Sequence, residues 1–133
     1  YWREHPDRLT RTDSRYSIEN FLKAKAHFLI AGPLADRDAV FLWGAGKTGR
    51  RLSKHLMRGG CIPSVVVDID RGKIGSSLRG RPIVAPEALA EHWERWQRPI
   101  VVVAVASRGA RQLIRQHLSG KNLTEGEDFL FAA

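Results

Sequence analysis

Residues 39–68 read AVFLWGAGKTGRRLSKHLMRGGCIPSVVVD. Ala39 to Trp43 form an apolar, β-compatible run that leads straight into Gly44, Gly46 and Gly49, in G-x-G-x-x-G spacing. A basic amphipathic segment, Arg50 to Arg58, follows and stops at Gly59-Gly60. A second apolar run, Ser64 to Val67, closes on Asp68. Strand, glycine turn, helix, strand and acid stand in the order of a dinucleotide-binding βαβ unit.

Each part has a physical reason. Gly44 lets the chain turn sharply off the strand, because glycine reaches positive φ without steric penalty. Gly46 leaves no side chain where a pyrophosphate would approach the backbone, and Gly49 lets the helix sit close to the sheet. The N–H groups and dipole of the helix N-terminus then form an anion site. Asp68, about 20 residues beyond the glycines, is placed to accept from ribose hydroxyls. Lys47-Thr48 resembles the end of a Walker A loop, but the glycine required five positions before Gly46 is Phe41, so a P-loop is excluded. Asp68-Ile69-Asp70 has the form of a metal-binding D-x-D, yet a second-strand terminus favours ribose recognition or simple capping.

The remaining chain supplies the rest of a sheet. Ser17 is a helix N-cap signal for Ile18 to about Ala31, with Ile18, Phe21, Leu22, Phe28 and Leu29 at helical spacing. Gly32-Pro33 ends that helix. Residues 1–16 are polar and aperiodic and read as extended or disordered. DIDRGKIGSSLRGRP reads as a loop, Pro82 to Val84 as a short extended piece. Pro86 opens a helical stripe of Leu89, Trp93 and Trp96. Ile100 to Ala106 is a continuous apolar strand of the kind covered on both faces. Ser107-Arg108-Gly109 opens a helix with Ala110, Leu113, Ile114 and Leu118 inward, ended by Gly120, and Phe129 to Phe131 form a last strand. The alternation predicts an α/β, Rossmann-like open parallel sheet of about four or five strands, helices on both faces, preceded by an N-terminal helix.

Ligands of such sheets bind beyond the strand C-termini, at the point where strand order reverses. The candidate binding residues are therefore Gly44, Ala45, Gly46, Lys47, Thr48, Gly49, Asp68, Ser107 and Arg108, with Arg108 as a second cation beside Lys47. The ligand classes that fit are NAD(P) or a nucleotide-sugar. No catalytic set accompanies them: no tyrosine lies four residues before a lysine in a suitable helix, and the single cysteine, Cys61, has no histidine partner. The five histidines are scattered. This stretch reads as a binder rather than a catalyst, with no metal site.

Composition narrows the setting. A chain of 133 residues with 43% hydrophobic content supports one domain with a real core, plus an appendage. No apolar run approaches the ~20 residues of a bilayer span. A net charge of +8 admits anionic partners. The arginines are dispersed, however, and no nucleic-acid module appears, so phosphorylated small molecules or acidic headgroups are the expected partners. The chain opens on Tyr1 without a signal-peptide pattern and reads as a piece of a longer cytoplasmic protein, at most peripheral to a membrane.

Two stretches together carry a family resemblance. YWREHPDRLTRTDSRYS with the ENFLKAKAHFL helix resembles the end of the catalytic domain of bacterial family 2 glycosyltransferases. VFLWGAGKTGRRLSKHL, VVVDIDRGKIG, GRPIVAPEAL and EGEDFLFAA are similar to the Rossmann-like domain appended to some of those enzymes, a module also found in sugar O-acyltransferases and nucleotide-sugar epimerases. The resemblance implies a tail of an absent catalytic domain at 1–16, a connecting helix at 17–33 and a nucleotide-binding-type domain at 38–133. It places Arg3 and His5 at the edge of the transferase's donor site. It also implies a catalytic domain in cis and a role in bacterial polysaccharide biosynthesis, with no sugar transfer by these residues alone. The rival expectations are an NAD(P)- or nucleotide-sugar-dependent domain of the epimerase or dehydrogenase type, and an interaction module whose glycine turn holds nothing.

Overall fold

The computed structural model describes the backbone of residues 4–132 and the side chains of residues 17–132. Six strands, β1 (Ala39–Trp43), β2 (Val65–Val67), β3 (Ser77–Leu78), β4 (Arg81–Val84), β5 (Pro99–Val103) and β6 (Phe129–Phe131), form one sheet in the order β3-β4-β2-β1-β5-β6. All neighbours are parallel except the hairpin β3–β4. The parallel strands thus run outward in both directions from β1, and the order reverses between β1 and β5. The short edge strand β3 lies within the segment that reads as a loop from sequence. Two residues with no apolar alternation leave no period to detect, and Gly80, at φ +82°, makes the tight return.

Strand residues alternate between two cores. Val40, Leu42, Val66, Ile100 and Val102 face helices α1 (Glu4–Ala31) and α2 (Lys47–Arg58) on one side. Phe41, Trp43, Val67, Val101, Val103 and Phe129 face α3 (Leu89–Trp93) and α4 (Arg108–Gly120) on the other. Burial on both faces is why β1 and β5 are apolar at every position.

Several boundaries differ from the sequence expectation. α1 begins at Glu4, so residues 4–16 are helical rather than extended, and Ser17 lies inside the helix instead of capping it. Extending an existing helix fixes one residue per hydrogen bond, whereas starting one is unfavourable. Arg3 lies outside the described residues, and His5 is described only by its backbone. Three of the five residues of the α1 stripe also face away from the core: Leu22 and Leu29 are buried, but Ile18, Phe21 and Phe28 are exposed. α2 starts at Lys47, with Gly46 as its N-cap, so Gly49 belongs to the helix's first turn. α3 stops at Trp93, leaving Trp96 beyond it, where the Asp38 carboxylate accepts from the N–H groups of Gln97 and Arg98.

α1 is tied to α2 by a polar cluster. The Glu19 carboxylate lies 2.9 Å from Lys54 Nζ and 2.7 Å from the Nε2 of buried His55. These two hydrogen bonds hold the Glu19 pKa down at about 2. Among the described residues no helix is long and apolar enough to cross a membrane.

Candidate functional site

The glycine turn is built from backbone packed on backbone. Gly44 sits at φ +127°, and a Cβ there would lie 2.7 Å from the Ala104 carbonyl oxygen. Gly49 is more constrained, because its Cβ would fall 1.8 Å from the carbonyl oxygen of Gly44. Both glycines are therefore required by the fold: one lets β1 end against β5, the other lets α2 stand on the turn. Gly46 differs. Its φ of −83° suits any residue, and a Cβ would meet only Lys73 Nζ, at 3.9 Å. Packing does not demand glycine at position 46; a side chain there would project into the cleft that Gly46 lines.

The amides of the turn point the same way. The first intrahelical bond of α2 runs from the Arg50 N–H to the Gly46 carbonyl, at 2.9 Å. The N–H groups of Lys47, Thr48 and Gly49 precede it and have no helical acceptor. No acidic residue occupies the first turn of α2, and Lys47 adds a positive charge to the positive end of the dipole. Such an end is stabilised by an anion.

Asp68 joins the turn to its neighbour. Its Oδ2 accepts from the Ala45 N–H at 2.7 Å, and its Oδ1 accepts from the Asp70 N–H at 2.9 Å. The carboxylate is thereby held at the lip of the turn, with lone pairs left on both oxygens. Asp70 in turn accepts from the Gly72 N–H, which shapes the loop bearing Lys73. Both carboxylates of the D-x-D are thus engaged in backbone turns.

Around this lip opens a cleft of about 470 Å³. Gly44, Gly46, Lys47, Thr48 and Asp68 line it, with Ile69, Lys73 and Pro86. Residues 104–106 after β5, packed against Gly44, and Ala110, Leu113, Ile114 and His117 of α4 line it as well. Ala45 and Gly49 are buried beneath as supports. Ser107 and Arg108 are exposed at the start of α4 and do not line the cleft. Helix periodicity is the cause: Ala110, Ile114 and His117 share a face at i, i+4 and i+7, and Arg108 lies about 200° around the axis from Ala110. The second cation over the turn is instead Lys73.

Sequence reasoning passed over Lys73, Ile69, Leu113 and His117. Leu113, expected in the core, is 66% exposed on the cleft rim. The signal available for α4 was the 110-114-117 spacing running off a strand tip. His117 packs edge-on against Trp43, with ring centroids 5.6 Å apart. Burial, aided by Lys121 and opposed by Glu87, lowers its pKa below the usual histidine value. Its Nε2 is buried with no protein hydrogen-bond partner among the described residues.

Sheet order, glycine turn and strand-tip acid define a Rossmann-like fold. Solved structures bear this out. A UDP-D-quinovosamine 4-dehydrogenase from Vibrio fischeri superposes with a TM-score of 0.55 at 24% identity, over 65% of this chain and 74% of that one. RSP, a Rex-family repressor, in complex with NADH matches with a TM-score of 0.56 at 15% identity, over 74% of this chain and 54% of the repressor. RSP with NAD+ and operator DNA gives 0.56 at 16% identity, over 77% and 52%. At these identities the likeness is one of fold, and this chain spans only about half of the repressor. No protein-family model matches the sequence, and no curated protein does.

Proposed function

We propose that this domain binds a nucleotide bearing a free ribose diol, NAD(H) or a nucleotide-sugar, across the glycine turn, and that it is the accessory domain of a family 2 glycosyltransferase. One observation carries the binding reading. The Asp68 carboxylate is fixed by the Ala45 amide at the lip of a turn whose next amides are unpaired within the helix. A ribose on Asp68 puts the attached phosphates over Gly46, where Lys47, Lys73 and the α2 N-terminus supply positive charge. A 2′-phosphate would instead meet the Asp68 carboxylate, so NAD+ is favoured over NADP+. NADH and NAD+ bound to the RSP neighbours support a dinucleotide ligand.

The transferase reading rests on the likeness of residues 1–29 to the end of a family 2 catalytic domain. In that reading the domain orients or regulates a catalytic unit in cis, in a cytoplasmic or membrane-peripheral enzyme of polysaccharide biosynthesis. It takes no part in the chemistry.

Thermal-shift titration with NAD+, NADP+, UDP-glucose and a GDP-sugar tests the binding reading. Stabilisation by NAD+ or a nucleotide-sugar, with NADP+ weaker than NAD+, is expected. No shift with any of them at millimolar concentration leaves an interaction module with an empty turn. The upstream part of the gene tests parentage. A strand followed by D-x-D supports the transferase, and a dehydrogenase half there replaces it with an epimerase- or dehydrogenase-type enzyme.

A further inference from the structure

The layer formed by α1 and α2 carries two surface features that neither the core nor the cleft uses. The first is charge. Along α2, Arg50, Arg51, Lys54 and Arg58 fall within about 100° of the helix circumference, on the side opposite Leu52 and Leu56, which are buried against the sheet. Glu19 is the one acidic residue in residues 17–31 and 47–58, against seven lysines and arginines. Its carboxylate lies 2.9 Å from Lys54 Nζ and 3.9 Å from Arg51 Nε, which sets the basic row beside α1. Arg79, in the β3–β4 turn, extends the row, its guanidinium donating to the Arg50 carbonyl and to Ser53 Oγ, both at 3.0 Å. Among the described residues Arg50, Arg58 and Arg79 have no carboxylate partner. The opposite face of the sheet is mixed, with Glu87, Glu91 and Glu94 exposed around α3. The second feature is apolar. Phe21 and Phe28, seven residues apart, share one line along α1, about 100° around the axis from Leu22 and Leu29. They are 57% and 60% exposed, and Ile18 beside them is 48% exposed. Lys25 stands between the two rings, its Nζ 5.8 Å from the Phe28 centroid.

We propose that the α1–α2 layer docks on an anionic lipid bilayer: Ile18, Phe21 and Phe28 enter the boundary between headgroups and acyl chains, and the basic row of α2 faces lipid phosphates. None of these residues lines the cleft, so the inference stands apart from the nucleotide reading. Charge complementarity gives the sign of the partner, and the apolar line narrows its class. Phenylalanine and isoleucine on a helix ridge beside arginine and lysine suit a bilayer interface, where apolar side chains and cations are taken up together. A folded protein partner would have to supply a groove matched to that ridge, whereas lipid yields to a convex surface. A nucleic-acid duplex offers phosphates to the basic row but keeps its bases stacked inside, and it leaves the Phe21–Phe28 line in water. Bases gain from an anionic surface within a Debye length, roughly 8–10 Å, so α2 contributes without entering the bilayer.

The test is co-sedimentation of wild type, F21S/F28S and R50Q/R58Q with phosphatidylcholine vesicles, either pure or carrying roughly one-third phosphatidylglycerol. Wild type should pellet with the anionic vesicles alone and be released as salt is raised. R50Q/R58Q should lose about fivefold in partitioning for each charge removed. F21S/F28S should lose about tenfold or more, because the apolar insertion is gone. In wild type, acetylation of Lys23 and Lys25 should slow on anionic vesicles, while that of Lys121, at the end of α4, stays unchanged; this arm decides even if a variant fails to fold. Wild type that stays in solution with both vesicles, F21S/F28S that pellets like wild type, or Lys121 protected as fully as Lys23 overturns the docking face. A short DNA duplex that strips wild type from the vesicles and binds F21S/F28S just as tightly assigns the basic row to nucleic acid, and overturns it too.

Discussion

Replacing Gly46 with valine separates the two roles that glycines play in this turn. The backbone at position 46 is already in a region open to any residue, and a Cβ meets only the flexible end of Lys73, at 3.9 Å. Removing glycine from the unfolded chain stabilises by about 0.4–1 kcal/mol. Valine is a poorer N-cap than glycine, which costs a similar amount. The two effects nearly cancel, so the melting temperature of G46V should stay within about 3 °C of wild type. Ligand binding should not survive, because the new methyl groups occupy the phosphate seat. At 100 Kd a bound nucleotide adds about 2.7 kcal/mol to wild type, which for a domain of this size is roughly 8–13 °C. In G46V that shift should fall to near zero. G49A is the contrast: its Cβ would lie 1.8 Å from the Gly44 carbonyl oxygen, so α2 must move. It should lose about 3 kcal/mol or more and take binding with it. A full nucleotide shift in folded G46V would refute the placement of the phosphates over this turn.

Two further outcomes follow from the polar contacts. D68A removes the acceptor of the Ala45 N–H and should cost about 1–3 kcal/mol in chemical denaturation, besides weakening nucleotide binding. E19Q should flatten the acid limb of the stability profile. The folded Glu19 pKa is depressed to about 2 from the ordinary glutamate value of 4.5, so its contribution is present above 4.5 and is lost as pH falls toward 2. A wild-type protein whose stability is level from pH 5 to pH 2.5, and identical to E19Q, would contradict that cluster.

The βαβ core was legible because its signals are local. Ala39–Trp43 is apolar throughout since both of its faces are covered, and Gly44 and Gly49 are glycine because backbone atoms lie where a Cβ would go. The acid on Val67's heels needed only strand length to reach the turn. What escaped the sequence depends on where helices stand relative to the sheet. Ser107 and Arg108 come directly after Ala106 beyond the β5 tip, but the rotation of α4 about its axis turns Ala110 and His117 into the cleft and leaves Arg108 outside. Lys73 reaches Gly46 through a loop shaped by the Asp68 and Asp70 turns, which no periodicity announces. Leu113 carries the spacing of a core residue yet lies on the rim, and His117 carries that of an ordinary helix histidine yet is left with a bare nitrogen. Hydrophobic pattern and glycine spacing specify which elements form and in what order they pair. The direction a side chain takes into a cleft between elements depends on packing among residues far apart in the chain.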